Sequence, residues 1–305
     1  MTNKEVYHIP VMLDACLEGL NINPDGVYVD VTFGGGGHSK AIFNKLSSKG
    51  RLIAFDQDPD ALANAWQADN FVLIPSNFSF LKNHLRAIGI EQVDGILADL
   101  GVSSHQFDEG KRGFSIRSND LLDMRMNQQG ALSAANVVNE YEEEELIRIF
   151  RKYGELTSPG KIAGTICRAR QAKGLKTTGE LIGVLETIAP KFKEHKFYAQ
   201  VFQAIRMEVN NELEVLEKFL EQTSEVIKPG GRLVVMSYHS LEDRLVKNYM
   251  KRGNLEGKIE KDFFGNVLKP FDEVTRKPVS PSEEEIAINS RARSAKLRVA
   301  ERENG

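Results

Sequence analysis

The chain has 305 residues, 41% of them hydrophobic and 27% charged, with a net charge of −3. This composition is typical of a globular protein with one large domain or two smaller ones. The absence of a run of eighteen apolar residues and of a recognisable secretory signal argues against a membrane or secreted protein. Cys16 and Cys167 lack CxxC spacing, which argues against a disulfide framework or structural zinc. We therefore expect a cytoplasmic protein without a metal.

Short apolar runs alternate with helical patterns over the first hundred residues. The alternation predicts right-handed crossovers and a parallel sheet covered on both faces, a doubly wound α/β fold. Gly50 and Gly89 are positioned to end two of the helices. The predicted strands are 26–31, 51–56, 71–76 and 93–100, and the predicted helices are 39–50, 58–68 and 78–89.

The pattern changes after Gln106, and 107–207 contains helix signals without a convincing strand. This segment predicts an all-helical domain inserted into the α/β domain. Its predicted helices end at Gly154, Gly174 and Pro190. Their predicted starts are Asn139 followed by Glu142, Ser158 followed by Pro159, and a capping box formed by Thr177 and Glu180.

The α/β pattern resumes near residue 208. A helix over 211–227, a KPGG turn, a strand over 232–239 and a helix over 241–252 are predicted in turn. Residues 253–290 are polar and proline-containing and predict mostly loop, and 294–301 predicts a final edge strand. The predicted domains are thus a core of 1–106 and 208–305 and an insertion of 107–207.

A glycine-rich run, Gly34 to Gly37, lies between the first strand and helix, where open α/β sheets bind ligands. Glycines let the backbone turn sharply and approach a ligand, and the next helix offers unpaired N–H groups. A purely structural turn is the alternative. The run does not fit the dinucleotide pattern, because the sixth position is Ser39 or Lys40 rather than glycine or alanine.

Polar residues at the strand ends suggest how a ligand is held. Asp30 can meet a cationic amino-acid end, and Asp56 can accept hydrogen bonds from ribose, as it would in either an NAD or an S-adenosylmethionine site. Phe78 either stacks on adenine or fills the core. Asp99 ends the fourth strand, where it either binds the ligand or caps the next loop; we favour ligand binding.

Seven ordered motifs resemble the 16S ribosomal RNA (cytosine-N4)-methyltransferase H family over nearly the whole chain. They are HIPVML, DVTFGGGGHSKAI, DGILADLGVSSHQFD, RGFS with LDMRM, FQAIRMEVNNELE, GGRLVVMSYHSLEDRLVK and SRARSAKLRVAER. The resemblance implies a class I (Rossmann-like) S-adenosylmethionine methyltransferase core with a helical insertion. It also implies N4 methylation of cytosine 1402 in the decoding centre of 16S rRNA. The cofactor contacts that it implies are Gly36, Gly37, His38, Asp56, Phe78, Asp99 and Gln106.

The chain departs from the family pattern in two places. His105 stands where many relatives have proline, so that loop is expected to bend differently. KFYAQVFQAIR replaces a more usual HPATRTFQALR, which removes a Thr-Arg pair and puts the RNA contacts of that stretch in doubt.

The target chemistry draws attention to the ends of the fourth and fifth long strands. Cytosine N4 is a poor nucleophile, so a group that accepts hydrogen bonds from it would help the transfer. Asp99 is a candidate for that role, with Ser103 beside the base. Tyr238 can stack on an unstacked cytosine, whereas His239 either accepts a proton or is a structural histidine.

Basic residues predict the RNA-facing surface. Residues 158–206 carry nine Lys/Arg and three Asp/Glu. Taken alone such a block is more often a solvated helix face, but the family resemblance favours RNA contact. The RNA-facing candidates are Arg112, Phe114, Arg117, Lys161, Arg168, Arg170, Arg291 and Arg293. The predicted partner is the small ribosomal subunit, bound by a monomer or homodimer; the rival interpretations are an NAD-dependent oxidoreductase and an inactive RNA-binding module.

Overall fold

The structure is a computed structural model that describes residues 10–103, 106 and 112–303. Among these residues, no helix combines the length and apolar character needed to cross a membrane. The chain forms two compact units, which we call the sheet unit (Met1–Gly101 with Leu213–Gly305) and the helical unit (Val102–Glu212).

The sheet unit contains a seven-stranded sheet with the order β3-β2-β1-β4-β5-β7-β6. Strands β1 to β5 run parallel, and β7 is antiparallel to both β5 and β6. The order reverses at β1, which lies between β2 and β4, and such a reversal opens a crevice at the carboxyl ends of the strands. The strands are β1 (Val27–Asp30), β2 (Arg51–Phe55), β3 (Phe71–Ile74), β4 (Val93–Asp99), β5 (Ile227–Ser237), β6 (Phe271–Glu273) and β7 (Lys296–Arg302).

Helices cover both faces of the sheet. Tyr28 and Val29, adjacent along β1, belong to different hydrophobic clusters because successive side chains point to opposite faces. The α-helices are α1 (Leu13–Leu20), α2 (Gly37–Phe43), α3 (Leu81–Ala87), α9 (Glu212–Val226), α10 (Ser240–Arg252) and α11 (Glu283–Ile288). Burial on both faces explains why the parallel strands read as nearly continuous apolar runs. The doubly wound α/β fold is confirmed.

The helical unit has its own hydrophobic core, built around side chains such as Phe150, Val201 and Ile205. Within 112–212 the only β pairing is an isolated bridge between Leu121 and Thr177. The helices are α4 (Ala134–Glu140), α5 (Glu143–Lys152), α6 (Pro159–Ala172), α7 (Thr178–Glu186) and α8 (Glu194–Val209).

Helix starts in this unit are partly as predicted. Thr177 forms the predicted capping box with Glu180, and Ser158 precedes Pro159 at the start of α6 without a side-chain cap bond. The capping role of Asn139 was wrong. Glu142 caps α5, whereas the Asn139 amide lies in α4 and donates to the carbonyl of Leu175.

Several boundaries in the sheet unit differ from the prediction. Helix α2 ends at Phe43 rather than near Gly50, since the Ser47 N–H donates to the carbonyl of Pro24. The helix expected over 58–68 is a short 3-10 helix, Pro59–Asn64. The KPGG turn is an irregularity inside β5, where Gly230 has φ 76°.

The C-terminal prediction also needs correction. Strand β7 is not at the edge of the sheet, because β6 pairs along its outer side. Residues 253–290, predicted as mostly loop, supply that edge strand and helix α11. Three residues in β6 are too few for a periodic pattern to reveal them.

Candidate active site

The carboxyl edge of the sheet collects the polar residues that end its central strands. The register pairs Asp30 with Leu97, and Asp99 with Met236, so the ends of β1, β4 and β5 lie side by side. Asp56 follows β2, the other neighbour of β1. The predicted Asp30, Asp56 and Asp99 and the more distant Tyr238 therefore share one edge.

Asp30 is buried and holds the loop that follows it. One carboxylate oxygen accepts from the Thr32 N–H at 3.0 Å and the Thr32 hydroxyl at 3.3 Å, and the other accepts from the Ser39 hydroxyl at 2.6 Å. These bonds tie the end of β1 to helix α2. Direct contact of Asp30 with a ligand stays a prediction.

Asp56 organises the backbone around it. Its carboxylate accepts from the Gly34 N–H at 2.7 Å and from the Asp58 N–H at 2.8 Å. Burial raises the pKa of Asp56 to about 6, although those two N–H groups favour the charged form. A ligand that donates hydrogen bonds here would relieve the cost of burying the charge.

Asp99 has a partner on each carboxylate oxygen. The Tyr238 hydroxyl donates to Oδ1 at 2.8 Å, and Nδ1 of His38 lies 3.7 Å from Oδ2. Burial raises the pKa of Asp99 to about 6; His38 and the Tyr238 hydroxyl act in the opposite direction, and Asp30 and Glu242 add further repulsion. Asp99 is thus a carboxylate that a bound cation would stabilise.

The contacts of His38 fix the tautomer of its neutral ring. Nε2 lies 3.0 Å from the carbonyl of Val11, which can only accept, so Nε2 carries a hydrogen. A neutral ring would then present the lone pair of Nδ1 toward Asp99. A hydrogen lies between them only when the ring is an imidazolium or Asp99 is protonated.

The glycine-rich loop is closed on one side and open on the other. A Cβ at Gly37 would lie 2.4 Å from Cγ of Pro10, and Gly36 has φ 75° with Phe33 beside it. A Cβ at Gly35 would meet nothing within 4 Å. The loop therefore leaves free space along its backbone at Gly35, one residue after the N–H that donates to Asp56 and at the same sheet edge as Asp99. That combination fits a ligand with donor hydroxyls and a positive charge.

His239 caps helix α10. Its Nδ1 accepts from the Glu242 N–H at 3.4 Å, and its Nε2 lies 3.1 Å from Oε1 of Glu242. An Nδ1 that accepts leaves the proton of a neutral ring on Nε2. Both ring nitrogens thus face Glu242, which favours the structural interpretation of His239 over proton acceptance.

Phe78 lies on a 3-10 helix, Phe78–Phe80, and is half-buried. Its ring packs edge-on against Phe219 with centroids 5.3 Å apart. The core role is therefore present in the structure, and stacking on adenine stays a prediction.

Some of the ligand- and RNA-binding residues predicted in the helical unit are buried or bonded within the protein. Ser103 and Gln106 bond to each other, since each side chain accepts from the other's backbone N–H. Arg112 is buried and donates to the carbonyls of Arg125 and Met126, and Phe114 belongs to the hydrophobic core. Burial removes Arg112 and Phe114 from the residues available to RNA.

Other predicted RNA contacts lie on the surface. Arg117, Lys161 and Arg168 are exposed in the helical unit, and Arg291 and Arg293 are exposed on a 3-10 helix of the sheet unit. Arg170 is half-buried and donates to the carbonyl of Val138, which gives it a structural role. His105 lies outside the described residues.

Thr32 is a site residue that the sequence interpretation missed. Its hydroxyl oxygen accepts from the Asp99 N–H at 2.7 Å and so connects the ends of β1 and β4. The sequence did contain a signal for this role, because Thr32 lies two residues after Asp30, the aspartate that ends β1. Asn64 was also missed; its amide donates to the carbonyl of Gly34 at 3.1 Å.

The chain is similar to known proteins over nearly its whole length. The MraW methylase family matches residues 5–303. A ribosomal RNA small subunit methyltransferase H of Flavobacterium johnsoniae is 56% identical and covers 99% of this chain and 100% of its own. One of Bacteroides thetaiotaomicron is 54% identical and covers 97% of both chains.

The similarity to solved structures is weaker. A putative rRNA methylase of Clostridium thermocellum is 12% identical, covers 96% of this chain and 98% of its own, and has a TM-score of 0.45, too distant to support an inference. The family match spans almost the whole sequence, as does the identity to the two relatives. The chain belongs to the MraW methylase family, and its sheet unit is a class I, Rossmann-like methyltransferase core.

Proposed function

We propose that this chain methylates 16S rRNA of the small ribosomal subunit, at N4 of a cytosine in the decoding centre, with S-adenosylmethionine as the methyl donor. Membership of the MraW methylase family carries the proposal, supported by two full-length relatives named ribosomal RNA small subunit methyltransferase H. The cytosine and its N4 position come from the motif resemblance. The reaction takes place in the cytoplasm, where small subunits are found.

The residues of the carboxyl edge fit this donor. S-adenosylmethionine, when bound, supplies a methyl group on a positively charged sulfur. Asp99, whose carboxylate is held by Tyr238 and faces His38, provides negative charge for that cation. Asp56 accepts from ribose hydroxyls, and the open backbone at Gly35 lets the ligand approach closely.

The main contribution of the chain to methyl transfer is to hold the carboxylates of the site in place. Thr32 accepts from the Asp99 N–H and the Gly34 N–H donates to Asp56, so both carboxylates are fixed in advance and would hold the donor for a near-attack geometry. Asp99 also stabilises the positive charge that develops on N4 as its lone pair forms the new bond to carbon. The proton released from N4 goes to solvent; the Nδ1 atom of His239 already accepts from the Glu242 N–H and is not its acceptor.

We propose that the helical unit and the C-terminal arginines contact the RNA. Arg117, Arg168, Arg291 and Arg293 are exposed and can pair with phosphates. Binding by a monomer or by a homodimer is equally compatible with this arrangement.

Ligand protection and product analysis test the proposal. S-adenosylmethionine should raise the melting temperature of the protein, and NAD⁺ should not, because a ligand stabilises the state that binds it. Nucleoside mass spectrometry of treated 16S rRNA should show N4-methylcytidine. Protection by NAD⁺ alone would overturn the donor assignment, and a methyl group on another nucleoside or on carbon 5 would overturn the N4 assignment.

A further inference from the structure

Exposed apolar side chains concentrate in one segment of the sheet unit. Among the described residues, eleven large hydrophobic side chains are exposed, and seven of them lie between Ile259 and Ile288. Phe263 and Phe264 are the extreme cases there, with exposed fractions of 98% and 86%. Clustered apolar exposure of this kind marks an interaction site more often than an accident of the surface.

The two phenylalanines occupy the tip of a well-bonded hairpin, residues 259–268. Lys261 and Val267 form a bridge at its base. The carboxylate of Asp262 accepts from the N–H groups of Phe264 and Asn266 at 2.8 and 2.9 Å and from the Asn266 amide at 2.9 Å. The tip is thus fixed before any partner arrives, so little conformational entropy is lost on binding.

The hairpin is also anchored to the sheet unit. Asn254 accepts from the Lys258 N–H and donates to its carbonyl, and the Asn248 amide of α10 donates to the carbonyl of Leu255. Beyond the hairpin, the carbonyl of Pro270 accepts from Arg302 of β7. The two rings are therefore presented by a rigid element.

The stretch of chain that carries the rings is basic in sequence. From Arg244 in α10 to Lys269 the chain carries seven Lys/Arg and three Asp/Glu, and Lys247, Lys251 and Lys261 are exposed. Of the three acids, Asp262 uses its carboxylate to form the turn. Lys258 pairs with Glu256, and Lys269 pairs with Asp272 and Glu303, so the exposed Lys247, Lys251 and Lys261 are the cations considered for phosphate contact. Aromatic faces among cations are the combination that binds unpaired nucleotides: the rings stack on bases, and the cations contact phosphates.

We propose that the hairpin 259–268 is a second contact site for the RNA substrate, in which Phe263 and Phe264 stack on unpaired bases of 16S rRNA. The rings stand at 86° to each other with centroids 5.7 Å apart, so each offers its face to a different base. This inference rests on the proposed function. It assigns a role to a segment outside the edge that holds Asp56 and Asp99.

The test compares three double variants in the full-length protein. Phe263→Ala with Phe264→Ala removes the rings, substitution of both by Leu keeps apolar bulk without aromatic faces, and substitution of both by Tyr keeps the faces. The matched control is Phe80→Ala, an exposed phenylalanine of the sheet unit outside the hairpin (53%). For each protein, the Kd for small subunits and the KM for methyl transfer are measured, together with the Kd for S-adenosylmethionine.

Stacking predicts a specific pattern. The Ala and Leu variants should bind subunits about tenfold more weakly or worse, with a matching rise in KM. The Tyr variant and Phe80→Ala should resemble wild type, and S-adenosylmethionine affinity should be unchanged throughout. Wild-type-like Ala variants would overturn the inference; so would Leu variants that retain affinity, because they would point to a protein pocket instead.

The two proposals fail in distinguishable ways. A wild-type protein that binds subunits through the hairpin but transfers no methyl group would refute the proposed function alone. A wild-type protein that methylates normally while the Ala variant does so equally well would refute the hairpin alone.

Discussion

At the scale of single residues, the chemistry centres on a carboxylate that is costly to keep charged. The pKa of Asp99 is raised to about 6 by burial, in spite of the Tyr238 hydroxyl and His38. A folded-state pKa above the unfolded value means that the folded protein gains relative stability at low pH and loses it as pH rises through about 6. The charged Asp99 therefore lowers the stability of the free protein, a cost that a role in ligand binding explains.

Asp99→Asn should therefore stabilise the free protein at pH 8, by on the order of 2 kcal/mol, because it removes a charge whose pKa is shifted by about two units. Asparagine retains an oxygen that can accept from Tyr238. At pH 4 the gain should be much smaller, because Asp99 is then neutral in the folded protein and close to its ordinary pKa in the unfolded chain. Thermal unfolding at pH 4 and pH 8 measures the difference; an equal gain at both pH values would show that charge is not the cause.

Tyr238→Phe should shift the pH dependence of S-adenosylmethionine binding. Loss of the hydroxyl removes a donor that favours the ionised form of Asp99, so the midpoint on the acid side should rise by about one pH unit. Titration calorimetry from pH 5.5 to 8.5 measures the midpoint. S-adenosylhomocysteine, which lacks the sulfur charge, should show a smaller shift.

Tyr249→Phe is the matched control, since Tyr249 is also buried but its hydroxyl is directed to the carbonyl of Glu221. Equal midpoints in wild type and Tyr238→Phe, or an equal shift in Tyr249→Phe, would refute the role given to the Tyr238 hydroxyl.

Residue contacts were the least predictable part of the site. Asp30, Asp56 and Asp99 could be found because they end apolar strands in the sequence. The bond between Tyr238 and Asp99 joins residues 139 positions apart, and the sequence offered stacking on a base as the role of Tyr238. Only the parallel pairing of β4 and β5 brings the two side chains together.

At the scale of elements, signals carried by neighbouring residues predicted helix boundaries better than features that depend on distant partners. The capping box at Thr177 and the Ser158-Pro159 start involve neighbouring residues only, so a short stretch of sequence specifies them. The end of α2 and the position of β7 depend on partners far along the chain. Those two errors arose from tertiary pairing that periodicity does not encode.

The two starts differ in their bonding, which gives a matched pair of substitutions. The Thr177 hydroxyl accepts from the Glu180 N–H, whereas Ser158 makes no side-chain cap bond. Thr177→Ala should lower the free energy of unfolding by about 1 kcal/mol, and Ser158→Ala by roughly half of that or less. Denaturant unfolding measures both; equal losses would contradict the assignment of the cap.

At the scale of the whole molecule, each of the two units has its own hydrophobic core. The fold class was predictable because it depends on long stretches of sequence. Strands and helices alternate in the sheet unit, and the helical segment 107–207 interrupts that alternation. The RNA-facing surface was not, because sequence alone does not separate the buried Arg112 from the exposed Arg117. Burial, rather than charge, decides which arginines can reach phosphate.

Arg117→Gln and Arg168→Gln should each weaken binding to small subunits and reduce the salt dependence of that binding. We expect the slope of log affinity against log salt concentration to fall by about one for each arginine, because each releases about one counterion. Lys218→Gln, a surface change in α9, is the control. Unchanged slopes in both arginine variants would exclude these two side chains from the RNA contact.

The most direct measurement of the proposed function is methyl transfer from labelled S-adenosylmethionine to small ribosomal subunits from cells that lack this enzyme. Wild type and Asp14→Asn, which changes an exposed aspartate of α1, should both transfer label to 16S rRNA. Asp99→Asn should be slower by about a hundredfold or more, since it removes charge at the reacting centre. Absence of transfer by wild type would contradict the proposed activity, and full activity of Asp99→Asn would contradict the site.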